Sequence, residues 1–213
     1  MQRNSLILTG FAALLLAGCA KDGDFDSSGG IAVTRSACPA VAVPVYTGDV
    51  TFFDPSDARE ASAIDVVATL TNVRSTCSEQ GSDIAATAQF DVIATRRSAA
   101  GARRVELPYF ATVVQGGRAV VSKRLSTVVI EFADGQTRAQ GKGTAAGYVN
   151  RAAATLPADV EARLTRKRKA GDVDAALDPL ADPDVRAAVQ KASFELLIGF
   201  QLSDAQLKYN ATR

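Results

Sequence analysis

Three cysteines are the side chains of this sequence best suited to covalent chemistry, and they stand at Cys19, Cys38 and Cys77. A cysteine sulfur can accept an acyl group, pair in a disulfide or bind a metal. The sequence has no histidine, which excludes Ser-His-Asp and Cys-His catalysis as well as the zinc and iron sites that use histidine. We therefore expect a protein that is not an enzyme and that holds no metal and no cofactor. An enzyme that uses carboxylates alone, as some glycosidases do, is the alternative and requires a paired, buried Asp/Glu set in a cleft.

The first of these cysteines follows a short apolar run. Ser5 to Leu16 is almost wholly apolar, and its length suits the core of a secretory signal but not the roughly 20 residues of a membrane span. The tetrapeptide Leu16-Ala17-Gly18-Cys19 resembles the bacterial lipobox. That resemblance implies cleavage before Cys19 and acylation of Cys19, with several acyl chains forming a stable anchor. An ordinary secretory signal with an incidental cysteine is the alternative.

The residue types around Cys19 suggest a location. Ala20 follows the cysteine where an aspartate would signal retention in the inner membrane of enterobacteria, so the resemblance implies the periplasmic face of the outer membrane. We expect residues 1–18 to be a signal peptide and residues 19–35 to be the acylated cysteine with a flexible tether. As a random coil the tether spans about 22 Å. Residues 36–213 then form the folded domain.

Cys38 and Cys77 remain as a pair once Cys19 is assigned to acylation. In an oxidising periplasm two such cysteines predict a disulfide. The loop that it closes is worth roughly 4 kcal/mol in the chain-entropy description. Two free thiols or a redox pair are the alternatives, although the C-x-x-C spacing typical of a redox pair is absent.

Four arginines gather in the segment RRSAAGARR, at Arg96, Arg97, Arg103 and Arg104. We interpret the segment as the tip of a hairpin that contacts anionic lipid head groups, an acidic glycan or an acidic partner. A solvated tip that discourages aggregation is the alternative. The whole chain has 24 basic and 23 acidic residues, and loss of Arg3 with the signal leaves 23 of each. This balance argues against a nucleic-acid partner.

Apolar and polar residues alternate along most of the chain, which is typical of half-buried strands. Arg74 to Asp83 is predicted to be a polar loop, and a change of phase near Leu125 predicts a bulge or a strand that passes between sheets. Asp134-Gly135 predicts a hairpin turn. The predicted strands are Val41–Val45, Val50–Phe53, Ile64–Thr71, Ile84–Thr95, Val105–Val113, Ala119–Phe132, a weak one at Thr137–Tyr148, and Phe194–Leu202.

Helical patterns interrupt the strands near the end of the chain. One helix is predicted over Pro157–Ala170, and a second begins at Asp182-Pro183, a cap residue followed by proline in the first turn. Ser203 and Gln206 form a predicted capping box for a short closing helix. The fold class is therefore mainly β. We expect an antiparallel sandwich of immunoglobulin or fibronectin-III type with about seven strands, a helical insertion at 156–192 and a short C-terminal helix.

Several segments together resemble an uncharacterised family of proteobacterial lipoproteins. They are CPAV at Cys38, LPYFATVV from Leu107, VVSKRLSTVVIEF from Val120 and GFQLSDAQLKYN from Gly199. The resemblance covers most of the mature chain and implies a location and a fold, but no activity. The helical stretch is longer than the family leads us to expect.

These observations favour a non-enzymatic outer-membrane lipoprotein that faces the periplasm. We expect it to be an envelope accessory or scaffold that binds another envelope protein and is attached to the membrane through its lipid. A periplasmic ligand-binding or glycan-binding module is the alternative. That alternative requires a pocket or an aromatic platform, and the sequence has no tryptophan.

Overall fold

The computed structural model describes residues 35–166, 171–173 and 177–213. These residues form two four-stranded sheets packed face to face, with four α-helices, and the predicted mainly β sandwich is confirmed. The strands are β1 (Ala40–Ala42), β2 (Asp49–Phe53), β3 (Ile64–Gln80), β4 (Asp83–Arg96), β5 (Arg103–Gln115), β6 (Ala119–Phe132), β7 (Arg138–Asn150) and β8 (Phe194–Phe200). The helices are α1 (Arg151–Ala154), α2 (Ala158–Thr165), α3 (Pro183–Ala192) and α4 (Asp204–Thr212).

The first sheet has the strand order β1-β8-β5-β6, and the second has the order β2-β3-β4-β7. β8, the most regular alternating run of the sequence, lies inside its sheet between β1 and β5, as its apolar character predicts. β1 runs parallel to β8, and the other strand pairs in the described part of the chain are antiparallel. The core lies between the sheets, where alternate residues of β3, β4, β5 and β8 are fully buried.

The two ends of the sandwich differ in how the strands are joined. At one end, hairpin turns connect β3 to β4 at Gly81-Ser82 and β5 to β6 at Gly116-Gly117. We call it the Arg35 end, because Arg35 lies there. At the other end, β4 passes to β5 and β6 passes to β7, and both connections cross between the sheets. We call this the Arg96 end. β5 has 13 residues, so the two ends are about 40 Å apart.

Two predicted hairpins are therefore wrong. The turn at Asp134-Gly135 is present, with Gly135 at a φ of 78°, but it joins strands of different sheets. The arginine-rich segment also joins different sheets, because β4 and β5 do not pair. Local turn chemistry is the same in both situations. The choice of strand partner depends on residues far away along the chain.

The predicted polar loop Arg74–Asp83 is also wrong, since β3 continues to Gln80 and pairs with β4 along this stretch. Its residues are exposed, so they lack the apolar alternation by which a strand is recognised. In β6, the register irregularity lies opposite Val113 and Val114 and leaves Val121 as the extra residue. The predicted phase change is real, but it occurs four residues before Leu125, and β6 stays in one sheet.

Glycines in β7 make room for side chains of two neighbouring strands. A Cβ atom on Gly141 would lie 2.8 Å from side-chain atoms of Val128 and Ile130, so Gly141 allows β7 to approach β6 of the other sheet. A Cβ atom on Gly143 would lie 2.2 Å from the ring of Phe90, its partner on β4 in the same sheet. Both positions therefore need a residue without a side chain. The close approach covers the last third of β6, which is where that strand becomes buried.

Helices lie between β7 and β8, at the Arg35 end. α2 and α3 pack through a small separate core of Val160, Leu164 and Val185. Asp182 caps α3 by accepting hydrogen bonds from the backbone N–H groups of Asp184 and Val185, with Pro183 in the first turn as predicted. The capping box of Ser203 and Gln206 at α4 is confirmed as well. The part of the first predicted helix at residues 167–170 lies outside the described residues.

Candidate functional site

Arg96 is buried and holds the Arg96 end together. Its side chain is 5% exposed, and its guanidinium lies 5.1 Å from the ring centre of Phe132. Nε donates to the Gln136 carbonyl at 2.8 Å, and Nη2 donates to the carbonyls of Ala99 and Ala133, both at 3.0 Å. One arginine thus ties the β4–β5 connection to the β6–β7 connection. Arg96 is therefore not part of an exposed cationic surface, which corrects one member of the predicted set.

Arg103 forms a two-pronged ion pair with Asp65 across the sheets. Its Nη1 and Nη2 atoms lie 2.8 and 2.7 Å from the two carboxylate oxygens. The hydrogen bond from Arg103 holds the pKa of Asp65 below its ordinary value, and partial burial opposes that effect. The same pairing raises the pKa of Arg103. Asp65 is thus the partner of one predicted arginine.

The remaining two arginines of the segment are exposed but also have partners. Arg97 donates from its side chain to the Ser62 carbonyl and from its backbone N–H to the Asp65 carbonyl. Arg104 lies 3.4 Å from Glu106 and 3.7 Å from Glu131. Binding of an external anion would therefore compete with existing carboxylates and carbonyls. An anionic contact through Arg97, Arg103 and Arg104 stays a prediction.

The chain enters the sandwich at the Arg35 end, where two attachments fix it. Arg35 Nη1 donates to the Ala154 carbonyl at 2.9 Å, Nη2 donates to the Ala192 carbonyl, and burial lowers the pKa of the guanidinium. Cys38 and Cys77 form a disulfide, so that prediction is confirmed. The disulfide links the entering segment to the exposed, outer part of β3. Entry into the domain is thus fixed by both a covalent bond and hydrogen bonds.

Cys19, the predicted lipid attachment site, lies outside the described residues, as do the predicted signal peptide and almost all of the predicted tether. None of the helices in the described part of the chain has the length and the apolar character of a membrane span. Within residues 35–166, 171–173 and 177–213, no three cysteine, aspartate or glutamate side chains come close enough together to hold a metal ion.

The β5–β6 hairpin exposes apolar residues in the first part of the predicted strand Ala119–Phe132. Val120 is 65% exposed and Leu125 is 63% exposed, and Val121 is exposed next to them. Register puts Val120 opposite Val114 and Leu125 opposite Phe110, so both exposed residues lie on the outer face of the first sheet. The local sequence feature that indicates this exposure is the charge of the neighbouring residues, since residues 110–127 include Arg118, Lys123 and Arg124 and no acid.

A shallow groove of about 300 Å³ lies between β2 and α4. Phe53 and Tyr209 meet edge to face in it, with ring centres 5.0 Å apart, and the Arg59 guanidinium lies 5.2 Å from the centre of the Phe53 ring. Asn210 fixes α4 in place by donating to the carbonyls of Tyr46 and Asp49, each at 2.8 Å. Residues far apart in sequence form the groove, and no local pattern predicted it.

Comparison of the chain with protein-family models, with curated proteins and with solved structures finds no match. The comparisons therefore assign no family, and the resemblance to proteobacterial lipoproteins stays a proposal. Function must be argued from the residues and from the geometry of the two ends.

Proposed function

We propose that the chain is a non-enzymatic lipoprotein of the outer membrane of a Gram-negative bacterium, acylated at Cys19 and facing the periplasm. Its task would be that of an envelope accessory or scaffold that binds another envelope protein. The observation that carries the proposal is the lipobox-like Leu16-Ala17-Gly18-Cys19, placed sixteen positions before Arg35. A tether of that length spans about 22 Å as a random coil.

The polarity of the sandwich supports this arrangement. The tether joins the domain at the Arg35 end, and the Arg96 end lies about 40 Å away along the strands. In a domain anchored through Cys19, the Arg96 end is therefore the end farther from the point where the tether attaches. This geometry favours an acidic protein or glycan over the lipid head groups of that membrane as the partner of Arg97, Arg103 and Arg104.

The disulfide is compatible with the proposed compartment. Disulfides persist in oxidising environments such as the periplasm and are rare in the cytosol. Cys38 and Cys77 are both exposed, so their bond depends on the surrounding redox conditions more than a buried bond would. The pair thus supports an extracytoplasmic location without distinguishing the inner from the outer membrane.

Mass spectrometry of the protein extracted from membranes tests the anchor. We expect a mature chain that begins with acylated Cys19. The Cys19→Ala variant should carry no acyl group and should be absent from the membrane fraction. A mature chain that lacks an acyl group would contradict the proposal. Separation of inner from outer membranes then tests the location.

Photo-crosslinking in intact cells tests the scaffold function. A photoreactive residue at Arg104, which is exposed at the Arg96 end, is expected to give a discrete adduct with one envelope protein. The same residue at Thr144, exposed in the middle of β7, serves as the matched control. Equal adducts from both positions, or none from either, would count against a partner at the Arg96 end.

A ligand-binding or glycan-binding module is the second candidate, and the groove with Phe53, Arg59 and Tyr209 is the observation that favours it. An aromatic ring and a guanidinium side by side can bind the face and the acidic group of a sugar. Titration with soluble peptidoglycan fragments tests this function, with Tyr209→Ala as the variant that should lose binding and Leu207→Ala as its control on the same helix. If titration of the unmodified protein gives neither a heat of binding nor a chemical-shift change, these fragments are excluded as ligands.

A further inference from the structure

The exposed part of the β5–β6 hairpin combines aliphatic side chains with cations that have no carboxylate partner among the described residues. Val120, Val121 and Leu125 are each more than half exposed. Arg118, Lys123 and Arg124 stand among them, and no carboxylate in the described part of the chain lies within ion-pair distance of any of the three. This contrasts with the arginines at the Arg96 end, which all have partners.

Aromatic rings lie beside two of these cations, and one of the rings, that of Tyr148, belongs to β7 of the second sheet. The Lys123 ammonium lies 5.5 Å from the ring centre of Phe110, and the Arg124 guanidinium lies 5.7 Å from that of Tyr148, which is itself exposed. Aliphatic residues that enter the acyl region, with Lys, Arg and Tyr at the level of the head groups, are typical of surfaces that bind a lipid interface. The same cations are attracted to anionic lipids.

The hairpin lies beside the point where the tether enters. The backbone N–H of Gly116 donates to the Ser193 carbonyl at 2.9 Å, and the Gln115 side chain donates to the Lys191 carbonyl at 2.7 Å. Arg35 donates to the Ala192 carbonyl of the same short segment. A membrane that holds Cys19 is therefore within reach of this hairpin, with a tether that spans about 22 Å.

The strand edge itself argues against a second β-strand as the occupant. Val121 is the extra residue of a bulge, and Lys123 and Arg124 follow it. Bulges and edge cations are features that oppose edge-to-edge pairing. They do not oppose contact with a lipid surface, which needs no backbone register.

We propose that the exposed part of the β5–β6 hairpin, with Val120, Lys123 and Leu125 on its outer face and Arg118, Val121 and Arg124 beside them, docks on the anionic phospholipid surface of the membrane in which the chain is anchored. This inference rests on the proposed lipid anchor. Docking would hold this part of the hairpin and the adjoining Arg35 end against the membrane. It would convert a loosely tethered domain into one with a fixed orientation.

The absence of tryptophan from the chain allows a direct test. Val120→Trp gives the acylated protein one reporter on the docking face, and Leu207→Trp gives a control at an exposed apolar position of α4. Each protein is reconstituted into vesicles that contain phosphatidylglycerol, with or without brominated acyl chains. We expect the Val120→Trp emission to move to shorter wavelength and to be quenched by bromine, while Leu207→Trp keeps the emission of a solvated residue.

The cations are tested in the same system. Changing Arg118, Lys123 and Arg124 together to Gln removes three charges, and we expect the docking equilibrium constant to fall roughly 100-fold. For the protein that keeps these three cations, the docking equilibrium constant should fall by the same factor on vesicles of phosphatidylcholine alone. Equal quenching in the charge variant would contradict the assignment of anionic lipid as the occupant.

The outcomes separate this inference from the anchor. An acylated Val120→Trp protein without bromine quenching overturns the docking surface and leaves the proposed lipoprotein intact. A shift to shorter wavelength that appears without quenching and grows with protein concentration would show a second copy on this face, which also overturns the inference. A chain that mass spectrometry finds without acylation overturns the proposed function itself.

Discussion

The two halves of β6 belong to one strand and pair with the same neighbour, yet their surroundings differ. From Val128 to Phe132 the strand alternates between buried and exposed residues, and Ile130 is 0% exposed. From Ala119 to Thr127 every residue is exposed, although all but Val121 are paired with β5. The difference arises in the other sheet, where Gly141 of β7 allows close approach to the last third of β6 only. Hydrogen-bonded pairing and burial are therefore separate properties of a strand.

The largest effect should come from the buried half of β6. Ile130→Ala removes most of a fully buried side chain and should lower the free energy of unfolding by about 2–5 kcal/mol. Leu125→Ala, on the exposed half, should change it by about 0.5 kcal/mol or less. Urea unfolding followed by circular dichroism measures both. Similar losses for the two variants would mean that the first half of β6 is covered in solution.

Removal of the disulfide should give the next largest loss of stability, because the bond joins two exposed segments. The double variant Cys38→Ser with Cys77→Ser should lose about 2–4 kcal/mol. Amide hydrogen exchange should rise most at residues 75–80 of β3, which are exposed, and least in the buried half of β6. Reduction of the unmodified protein is the control and should reproduce the change. Uniform acceleration across both sheets would contradict a local role at the Arg35 end.

Arg96 and Arg124 offer a matched pair, since each guanidinium lies over an aromatic ring of a different half of the molecule. Arg96→Met should cost about 2–3 kcal/mol, because three hydrogen bonds from a buried, charged guanidinium to the carbonyls of Ala99, Ala133 and Gln136 are lost. Arg124→Met should cost about 0.5 kcal/mol or less. Thermal unfolding compares them. Equal melting temperatures for the two variants would mean that the two cation–ring contacts are equivalent and that Arg96 does not hold the two connections together.

The smallest expected effect concerns the ion pair of Asp65 and Arg103. The pKa of Asp65 is lowered in the folded chain, so its carboxylate stabilises the fold at pH values above its unfolded pKa of about 3.9. That contribution is lost as pH falls from about 4 through the folded pKa. Asp65→Asn should cost about 0.2–1 kcal/mol at neutral pH.

Unfolding free energies between pH 2 and pH 7 test this prediction. The difference between the unmodified chain and Asp65→Asn should shrink below pH 4. Glu131→Gln is the control, because its contact with Arg104 is exposed on both sides. A constant difference over the whole range would show that the ionised carboxylate is not what stabilises the pair.

Much of the fold could be predicted from local patterns. Strict alternation from Phe194 to Phe200 identifies a central strand, and the cap residues Asp182 and Ser203 locate two helix starts to the residue. These signals are local because the hydrogen bonds and the faces involved lie within a few residues. The segment Arg74 to Gln80 failed as a strand because its side chains contact solvent on both faces and need no alternation.

The candidate sites were harder to predict. The four arginines were grouped by sequence proximity, but the fold buries Arg96, pairs Arg103 with a residue 38 positions away and leaves Arg104 beside carboxylates. The groove at Tyr209 and the exposed face at Leu125 depend on which strands neighbour which. No window of the sequence predicts the groove, and the local signal for the exposed face is limited to the cations and the lack of acids in residues 110–127.

The sequence by itself determined the covalent features and the local elements: the lipobox-like tetrapeptide at Cys19, two further cysteines for one disulfide, the absence of histidine, the alternating strands and the helix caps. Tertiary structure alone decided which turns join strands of one sheet, which arginines are buried and which half of β6 is covered. The physical reason is that pattern and capping arise within a few residues. Burial and charge pairing depend on the opposing sheet, which distant parts of the chain supply.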